Sequence, residues 1–394
     1  MKEGWEYKKL GEVCRIERGG SPRPIKDFIT NSPDGLNWIK IGDTDPQGKY
    51  IYSTKEKIKP EGLRKSRWVE VDEFLLSNSM SFGRPYILKT NGCIHDGWLV
   101  LRDYQNSLII DYFYYLLISP HVQNQFRTKA QGSTVSNLNT DRVADVNIAF
   151  PPLSEQHSIV DYLDSAFAKI DAMKANAEKA LGEAKALFQA SLKEMLEPKE
   201  GWEEKKLDEI CSIARGGSPR PIKDFITNDP DGLNWIKIGD TDMGGKYIYS
   251  TKEKIKPEGL KKSRWVEEDE FLPSNSMSFG RPYILKTNGC IHDGWLVLRD
   301  YQKYLNIDFF YYVLSSDNVQ SQFRTKAQGS TVSNLNTDRV ASVTIYFPPI
   351  KEQQSIVATL DSLKSKVDRL QENFDKISQE CDALKQAILR QVFT

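Results

Sequence analysis

Side chains suited to binding nucleic acid are grouped in three stretches, of which the first two contain both glycine and proline. The candidates are Arg18, Ser21 and Arg23 in the first group, Asn78, Ser79, Ser81 and Arg84 in the second, and Arg127, Lys129 and Gln131 in the third. Arginine can pair with guanine edges and asparagine or glutamine with adenine, while serine and lysine can hold phosphates. Because binding groups commonly lie on loops of a rigid scaffold, the three groups predict a DNA-binding surface. The alternative is that they are ordinary solvated loops.

All three groups occur a second time, because residue n matches residue n+197 along most of the chain. The second set of candidates is Arg215, Ser218, Arg220, Asn275, Ser276, Ser278, Arg281, Arg324, Lys326 and Gln328. The segment GGSPRPIKDFITN, for example, occurs at 19–31 and again at 216–228. This period is too long for a solenoid, whose repeats are about 20–50 residues long. The sequence therefore predicts a duplicated domain.

Motifs of catalysis are missing from the sequence. It contains no G-x-G-x-x-G and no P-loop, and the pairs Gly19-Gly20 and Gly216-Gly217 indicate turns instead. Both Pro-Pro pairs follow phenylalanine, whereas an amino-methyltransferase motif needs Asn or Asp there. His95-Asp96 resembles a fragment of a metal-dependent phosphohydrolase site, but a local hydrogen bond is the favoured interpretation. We expect no catalytic residue, no metal and no cofactor in this chain.

The cysteines and the N-terminus contain no further signal. The five cysteines form no C-x-x-C pair, so we expect reduced, partly buried thiols rather than a zinc site. No stretch of about 18 apolar residues is present, which argues against a membrane span. The first residues have neither an apolar core nor a cleavage site, so we expect a cytoplasmic protein.

The charges balance, with 54 basic and 54 acidic residues. This balance argues against a simple electrostatic nucleic-acid binder, which is usually strongly basic. Residues 154–200 and 351–394 together hold 13 basic and 16 acidic residues, so the rest of the chain is slightly basic. We therefore expect weak DNA binding by the chain alone, since few phosphates can be neutralised without partners.

Each repeat has two parts. The first mixes short apolar runs such as WIKIGD and GWLVLRDY with turn residues, and 111–126 reads as a helix interrupted near Pro120, so an α+β globule is predicted. A Pro-Pro pair ends this globule, and a long helix follows. The predicted boundaries are 1–152 and 198–349 for the globular domains, with helices over 153–197 and 350–394.

Apolar residues in both long helices alternate at spacings of four and three, which is typical of a coiled-coil seam. The predicted seam comprises Ile159, Leu163, Ile170, Met173 and Leu187 in the first helix, and Leu360, Leu363, Val367, Leu370, Phe374, Ile377 and Leu384 in the second. Alanines in the first helix are suited to large side chains in the second. Parallel and antiparallel pairing are both possible, and antiparallel pairing would relate the two repeats by an approximate two-fold axis.

The sequence resembles a known family. WIKIGDTD, FLLSNSMSFGRPYIL and the run AQGSTVSNLNTDRVADVNIAFPPLSEQHSIVDYLD, which recurs at 327–361 in altered form, resemble the type I restriction–modification specificity subunit. The resemblance covers essentially the whole chain. It implies two target-recognition domains that each read half of a split DNA site, with antiparallel spacer helices between them. One departure is that the two domains are usually dissimilar in this family, whereas here they are almost the same.

The resemblance also implies partners. The helices would dock two modification subunits, which carry S-adenosylmethionine and methylate adenine, and restriction subunits would join them to cleave DNA. Two alternatives stay open: the specificity subunit of a type IIB-like or methyltransferase-only assembly, and a scaffold whose globular domains bind proteins.

Overall fold

The protein is described by a computed structural model over residues 4–78, 83–130, 138–242, 244–275, 280–327 and 335–393. It divides into two compact units, each of which contains one globular repeat and parts of both long helices. Unit 1 comprises residues 1–178 and 374–394, and unit 2 comprises residues 179–373. The predicted α+β class, with a long helix after each globular repeat, is confirmed.

Unit 1 contains twelve strands among its described residues, in three sheets. The strands are β1 (Glu6–Lys9), β2 (Arg15–Arg18), β3 (Ile29–Thr30), β4 (Leu36–Ile39), β5 (Tyr50–Ile51), β6 (Glu56–Ile58), β7 (Arg67–Val69), β8 (Phe74–Ser77), β9 (Pro85–Leu88), β10 (Gly92–Ile94), β11 (Trp98–Arg102) and β12 (Asn147–Phe150). Two sheets have five strands, in the orders β3-β6-β4-β10-β7 and β2-β11-β8-β9-β5, and β1 pairs with β12. The helices are α1 (Leu10–Val13), α2 (Ile110–Ile118), α3 (Pro120–Ala130), α4 (Thr140–Ala144) and the long α5 (Leu153–Met195). The predicted interruption at Pro120 is confirmed.

Unit 2 repeats these elements. Its strands are β13 (Glu203–Lys206), β14 (Ser212–Arg215), β15 (Ile226–Thr227), β16 (Leu233–Ile236), β17 (Tyr247–Ile248), β18 (Glu253–Ile255), β19 (Arg264–Val266), β20 (Ile284–Leu285), β21 (Gly289–Ile291), β22 (Leu296–Arg299) and β23 (Thr344–Phe347). Its helices are α6 (Leu207–Ile210), α7 (Ile307–Ser315), α8 (Asp317–Ala327), α9 (Thr337–Ala341) and the long α10 (Ile350–Phe393). The five-stranded sheet β15-β18-β16-β21-β19 matches the first sheet of unit 1.

The second sheet differs between the units at one strand. Leu76 lies within β8, and the equivalent residue in unit 2 is Pro273. Because proline has no backbone N–H to donate to a ladder, it interrupts regular pairing. Isolated bridges such as Phe271↔Leu298 and Ser274↔Trp295 replace the strand there, while Phe271 stays fully buried.

A buried glutamine fixes the start of each long helix. In unit 1 the Gln156 amide donates to the carbonyl oxygens of Ser107 (2.8 Å) and Pro151 (2.9 Å), and its Oε1 accepts from the N–H of Ile109 at 3.0 Å. Gln353 does the same in unit 2. Because a buried amide must be hydrogen-bonded, glutamine five residues after the first proline ties the helix to the preceding loop. This explains the Pro-Pro-x-x-x-Gln pattern.

The two long helices run antiparallel within each unit. In unit 1 the Cys381 thiol contacts the carbonyl oxygen of Ile170 at 3.8 Å, and Leu163 lies in one core with Leu389 and Phe393. Residue numbers therefore rise along α5 as they fall along α10. In unit 2, Phe188 and Leu192 of α5 share the core with residues near the start of α10. The predicted antiparallel pairing is confirmed.

The predicted seam is correct at some positions and wrong at four. Leu163, Ile170, Leu360 and Val367 are buried, while Ile159, Leu363, Phe374 and Ile377 are half-buried. The exposed fractions of the four wrong positions are 58% for Met173, 60% for Leu187, 37% for Leu370 and 48% for Leu384.

The seam passes instead through the residue after each of these four. These residues are Lys174, Phe188, Gln371 and Lys385, all buried or half-buried. The Lys385 ammonium lies 2.5 Å from Oδ1 of Asp171, and Lys174 lies 3.7 Å from Asp382. Three of these four seam residues are polar, whereas the residue before each of the four is apolar. The search for apolar spacing therefore selected the exposed neighbour instead of the residue that packs.

The cysteines are all free and buried. Burial raises the pKa of the Cys14 and Cys211 thiols to about 12, so the reactive thiolate is disfavoured. No helix of the described ranges is long and apolar enough to cross a membrane.

Candidate nucleic-acid interface

The first loop starts at Gly19 and Gly20, directly after β2, where the backbone lies close to other backbone segments. The N–H of Gly19 donates to the carbonyl oxygen of Trp98 (2.9 Å), and that of Gly20 donates to Ile94 (3.2 Å). A Cβ on Gly19 would lie 2.1 Å from the carbonyl oxygen of His95. The predicted turn is therefore wrong. Glycine is needed here, and at Gly216-Gly217, because backbone segments approach too closely for a side chain.

Beyond the glycines, one aspartate gathers side chains of two candidate groups. Oδ1 of Asp96 accepts from the Ser21 hydroxyl at 2.7 Å, and Oδ2 accepts from Nη2 of Arg23 at 3.3 Å. Its carbonyl oxygen accepts from Nε of Arg18 (3.2 Å) and Nδ2 of Asn78 (2.8 Å). We call these five residues the Asp96 cluster. The sequence predicted four of them but not Asp96 in this role.

The third group runs from Arg127, at the end of α3, to Gln131, the first residue of the segment 131–137, which lies outside the described residues. Leu138, the first described residue after that segment, donates its N–H to the carbonyl oxygen of Asn78 at 3.0 Å. Gln123 of α3 donates to the carbonyl oxygen of Gly83, next to the second group, at 2.6 Å. The second group therefore contacts the Asp96 cluster directly, and it contacts the chain on either side of the third group through Gln123 and Leu138.

Unit 2 builds the same cluster with residues Arg215, Ser218, Arg220, Asn275 and Asp293. Ser218 donates to Asp293 at 2.7 Å and Arg220 at 3.1 Å. The carbonyl oxygen of Asp293 accepts from Arg215 (3.2 Å) and Asn275 (2.7 Å). We call this set the Asp293 cluster.

The candidate residues differ in the exposed fraction of their side chains. The side chains of Arg23 and Arg220 are 79% exposed. Asn78 and Asn275 are only 2% and 1% exposed, and their amides are occupied by the aspartate carbonyl. The two asparagines therefore hold the loops in place, and the prediction that they read bases does not fit their burial.

The electrostatics of the cluster keep Asp96 ionised and its neighbour His95 neutral. The hydrogen bond from Ser21 is the main cause of a lowered pKa at Asp96, and Asp293 is lowered in the same way by Ser218. Burial lowers the pKa of His95, whose ring nitrogens face the N–H groups of Gly97 (2.9 Å) and Ile41 (3.3 Å). Within the described ranges no three His, Cys, Asp or Glu side chains are grouped as a metal site requires. The His-Asp pair thus makes local hydrogen bonds, as the sequence favoured.

Arg84 belongs to the second group, and Arg281 is its equivalent in unit 2. The Arg84 guanidinium lies 5.4 Å from the ring centroid of Tyr86, and Arg281 lies 5.3 Å from that of Tyr283. Stacking on an aromatic ring restricts the guanidinium while leaving its N–H groups available. Six other candidates lie outside the described residues: Ser79, Ser81, Gln131, Ser276, Ser278 and Gln328.

The basic residues of the third group lie on α3 and α8, not in the aspartate clusters. Lys129 forms an ion pair with Asp145, which also binds Lys9 at 2.6 Å. These two lysines lower the pKa of Asp145 to about 2. In unit 2 Ser342 replaces Asp145, so Lys326 lacks this carboxylate. Arg127 and Arg324 are exposed and donate to Asn124 and Ser321 of their own helices.

Comparison with known proteins accounts for the whole chain. The model of the type I restriction modification DNA specificity domain matches residues 2–181 and 199–379. The EcoBI specificity subunit of Escherichia coli is 23% identical, with 100% of this chain and 86% of that protein covered. The MjaVIII specificity subunit of Methanocaldococcus jannaschii is 22% identical, over 100% and 93%.

Two solved structures share the fold. The HsdS subunit from Thermoanaerobacter tengcongensis has a TM-score of 0.63 at 21% identity, covering 100% of this chain and 97% of that one. A chain from a structure on complex assembly and conformational transition of the type I R-M system has a TM-score of 0.77 at 21% identity, over 99% and 97%. Because the family model matches both repeats, this chain belongs to the type I restriction–modification DNA specificity family.

Proposed function

We propose that this chain is the DNA-reading subunit of a type I restriction–modification assembly. The observation that carries the proposal is the Asp96 cluster, which holds exposed Arg23 and joins the first candidate group to Asn78 of the second. Arg23 and Arg84 are suited to reading guanine edges. Unit 2 offers the same groups through the Asp293 cluster.

The target of such a pair of units is an interrupted palindrome. The candidate DNA-binding residues are the same in both units, so each unit reads nearly the same bases. If the antiparallel helices relate the units by a two-fold axis, one unit reads the top strand and the other reads the bottom strand. The split site then consists of a half-site and its inverted complement around unread bases.

The chain recognises DNA and leaves the chemistry to its partners. S-adenosylmethionine and adenine methylation belong to two modification subunits, and cleavage belongs to restriction subunits. The zero net charge supports this division, because a protein that neutralises few phosphates needs partners for tight DNA binding.

The exposed apolar residues of the long helices support docking of the modification subunits. Met173 and Leu370 occupy equivalent places in α5 and α10, as do Leu187 and Leu384, and all four are exposed. Apolar side chains repeated on two helices form surfaces that a protein partner can cover. Met173 and Leu384 belong to unit 1, and Leu370 and Leu187 belong to unit 2. Each unit therefore offers one set of exposed apolar residues to one copy of the partner.

The docking surface is tested by Met173→Asp combined with Leu370→Asp. We expect the double variant to fold normally and to lose capture of the modification subunits in co-purification. The matched control is Asn176→Asp combined with Asn373→Asp, which changes exposed polar residues of the same two helices. Equal capture by both double variants would place the docking surface elsewhere.

The DNA-reading role is tested by mapping methylated adenines across the host genome and by binding assays with the chain plus its modification subunits. We expect methylation on both strands of a split, self-complementary motif, and a salt-dependent, sequence-specific mobility shift. A motif with unrelated halves would contradict the palindrome alone. Without any sequence-specific DNA binding, the protein-binding scaffold becomes the better description.

A further inference from the structure

An acidic side chain at a DNA-reading edge needs a reason, because it repels the phosphates that supply most of the affinity. The side chain of Asp96 is 43% exposed in unit 1, and that of Asp293 is 43% exposed in unit 2. Both carboxylates stand beside the loops that carry the candidate arginines. Their charge therefore has a cost in DNA binding unless the carboxylate does something for recognition.

Each oxygen of the Asp96 carboxylate has a separate partner. One accepts from Ser21 and the other from Nη2 of Arg23. The Asp96 N–H in turn lies 3.3 Å from Oγ of Ser21, so the serine is held from two sides. A carboxylate fixed in this way offers a defined position to the arginine.

Arg23 needs such an anchor. Its side chain is 79% exposed, and Arg23 makes one ion pair among the described residues, the one to Asp96. The residue stands between Pro22 and Pro24, which limit its backbone freedom but not its long side chain. With Nη2 held and the side chain largely exposed, the other guanidinium N–H groups remain accessible to a partner.

We propose that Asp96 and Asp293 are positioning residues that aim Arg23 and Arg220 at base edges, and that they raise base specificity at the expense of general DNA affinity. The proposal rests on the DNA-reading function proposed above. The carboxylate touches the arginine and not the base. Its negative charge also discourages the arginine from binding phosphates at random.

This role predicts opposite changes in two kinds of binding. Asp96→Asn removes a negative charge and weakens the hold on Arg23. Binding to unrelated DNA should therefore stay the same or become tighter, while preference for the target sequence falls. A purely structural aspartate would give the other pattern, with equal losses on all DNA.

The experiment uses the full chain assembled with its modification subunits. The probes are a duplex selected from a random-sequence library by the wild-type complex and a scrambled duplex of the same length, each titrated at several salt concentrations. We expect Asp96→Asn to reduce the ratio of the two affinities by about tenfold, as for one lost arginine–guanine pair. Asp293→Asn should do the same for the other half-site.

Asp72→Asn and Asp269→Asn are the matched controls. Each removes one carboxylate that pairs with a lysine: Asp72 pairs with Lys89, and Asp269 pairs with Lys286. In unit 1 this ion pair lies at the end of β8 and β9 opposite the Asp96 cluster. Both residues have positive φ, which asparagine tolerates. The affinity ratio should not change in either control.

A second pair of variants separates positioning from folding. Ser21→Ala keeps every charge but frees one side of the carboxylate, and it should also lower the ratio. Arg23→Ala should lower it as well, and adding Asp96→Asn to Arg23→Ala should change the ratio no further. Additive losses, equal losses on both duplexes, or an unchanged ratio would each overturn the positioning role. If the wild-type complex showed no preferred sequence, the DNA-reading function itself would fail before any variant is made.

Discussion

The Lys385 ammonium lies 5.2 Å from the ring centroid of Phe167, across the two helices of unit 1. In unit 2 the equivalent residues are Lys364 and Phe188, so the aromatic residue and the lysine have exchanged helices. Phe188 is part of the unit 2 core, and Lys364 pairs with Asp368 of its own helix. Each unit therefore has one phenylalanine and one lysine at these two positions, but on opposite helices, so the helix pairs of the two units are not copies of one another.

This exchange predicts the behaviour of a residue swap. Phe167→Lys brings a second ammonium towards Lys385 and removes a half-buried ring, so it should lower the free energy of unfolding by about 1–3 kcal/mol. Adding Lys385→Phe recreates the arrangement of unit 2 and should recover most of the loss. Urea unfolding of the single and double variants gives the coupling free energy. Purely additive effects would mean that the pair does not interact.

The corrected seam predicts which aspartate substitutions unfold the helix pair. Leu163 is fully buried, so Leu163→Asp places an unpaired charge in the core and should cost several kcal/mol, roughly 3–5. Met173→Asp lies on the same helix but is exposed, and it should stay within about 0.5 kcal/mol of the wild type. Thermal unfolding followed by circular dichroism distinguishes the two. Similar losses in both would restore the seam predicted from apolar spacing.

The close approach at Gly19 predicts a local defect from a single methyl group. Gly19→Ala places a Cβ against the carbonyl oxygen of His95, so the loop must move and the Asp96 cluster must open. We expect lower stability and loss of target preference in the DNA-binding assay. Gly42→Ala is the control, because a Cβ there meets nothing within 4 Å. If both alanine variants behaved like the wild type, the backbone would not be tightly held at Gly19.

The buried histidines predict a dependence on pH. Burial lowers the pKa of His95 and His292 below the ordinary value of 6.5, so between the two values the unfolded chain binds more protons than the folded chain. The free energy of unfolding should therefore fall as the pH is lowered through 6.5, and this contribution should level off below the folded pKa. The double variant His95→Gln with His292→Gln should lose this part of the dependence in urea titrations. An unchanged pH profile in that variant would assign the dependence to other groups.

The repeat, the long helix after each globular part and some of the seam positions could be predicted because they depend on local patterns. Leu163 and Val367 follow the spacing rule and are buried. Lys174 and Lys385 could not be predicted as seam residues, because their place depends on carboxylates of the other helix, Asp382 and Asp171. A charged side chain in a seam is acceptable only when such a partner is present.

The candidate site shows the same division. Arg23 and Arg84 could be proposed from residue type and loop context alone. Asp96 joins residues that are far apart in sequence, as in its hydrogen bond to Ser21, 75 residues away. The one available signal was the His95-Asp96 pair, for which the sequence favoured a local hydrogen bond over metal chemistry, but it did not indicate which side chains the aspartate would hold.

The Asp96 cluster draws its five residues from the globular part of unit 1 and takes none from α5 or α10. Changes within these loops therefore need no repacking of the helix seam. Under the proposed function, recognition and assembly can then evolve separately, and a new target can arise by replacing one globular domain while its partners dock as before. Since the two units carry the same cluster, a single such replacement would also turn the proposed symmetric target into an asymmetric one.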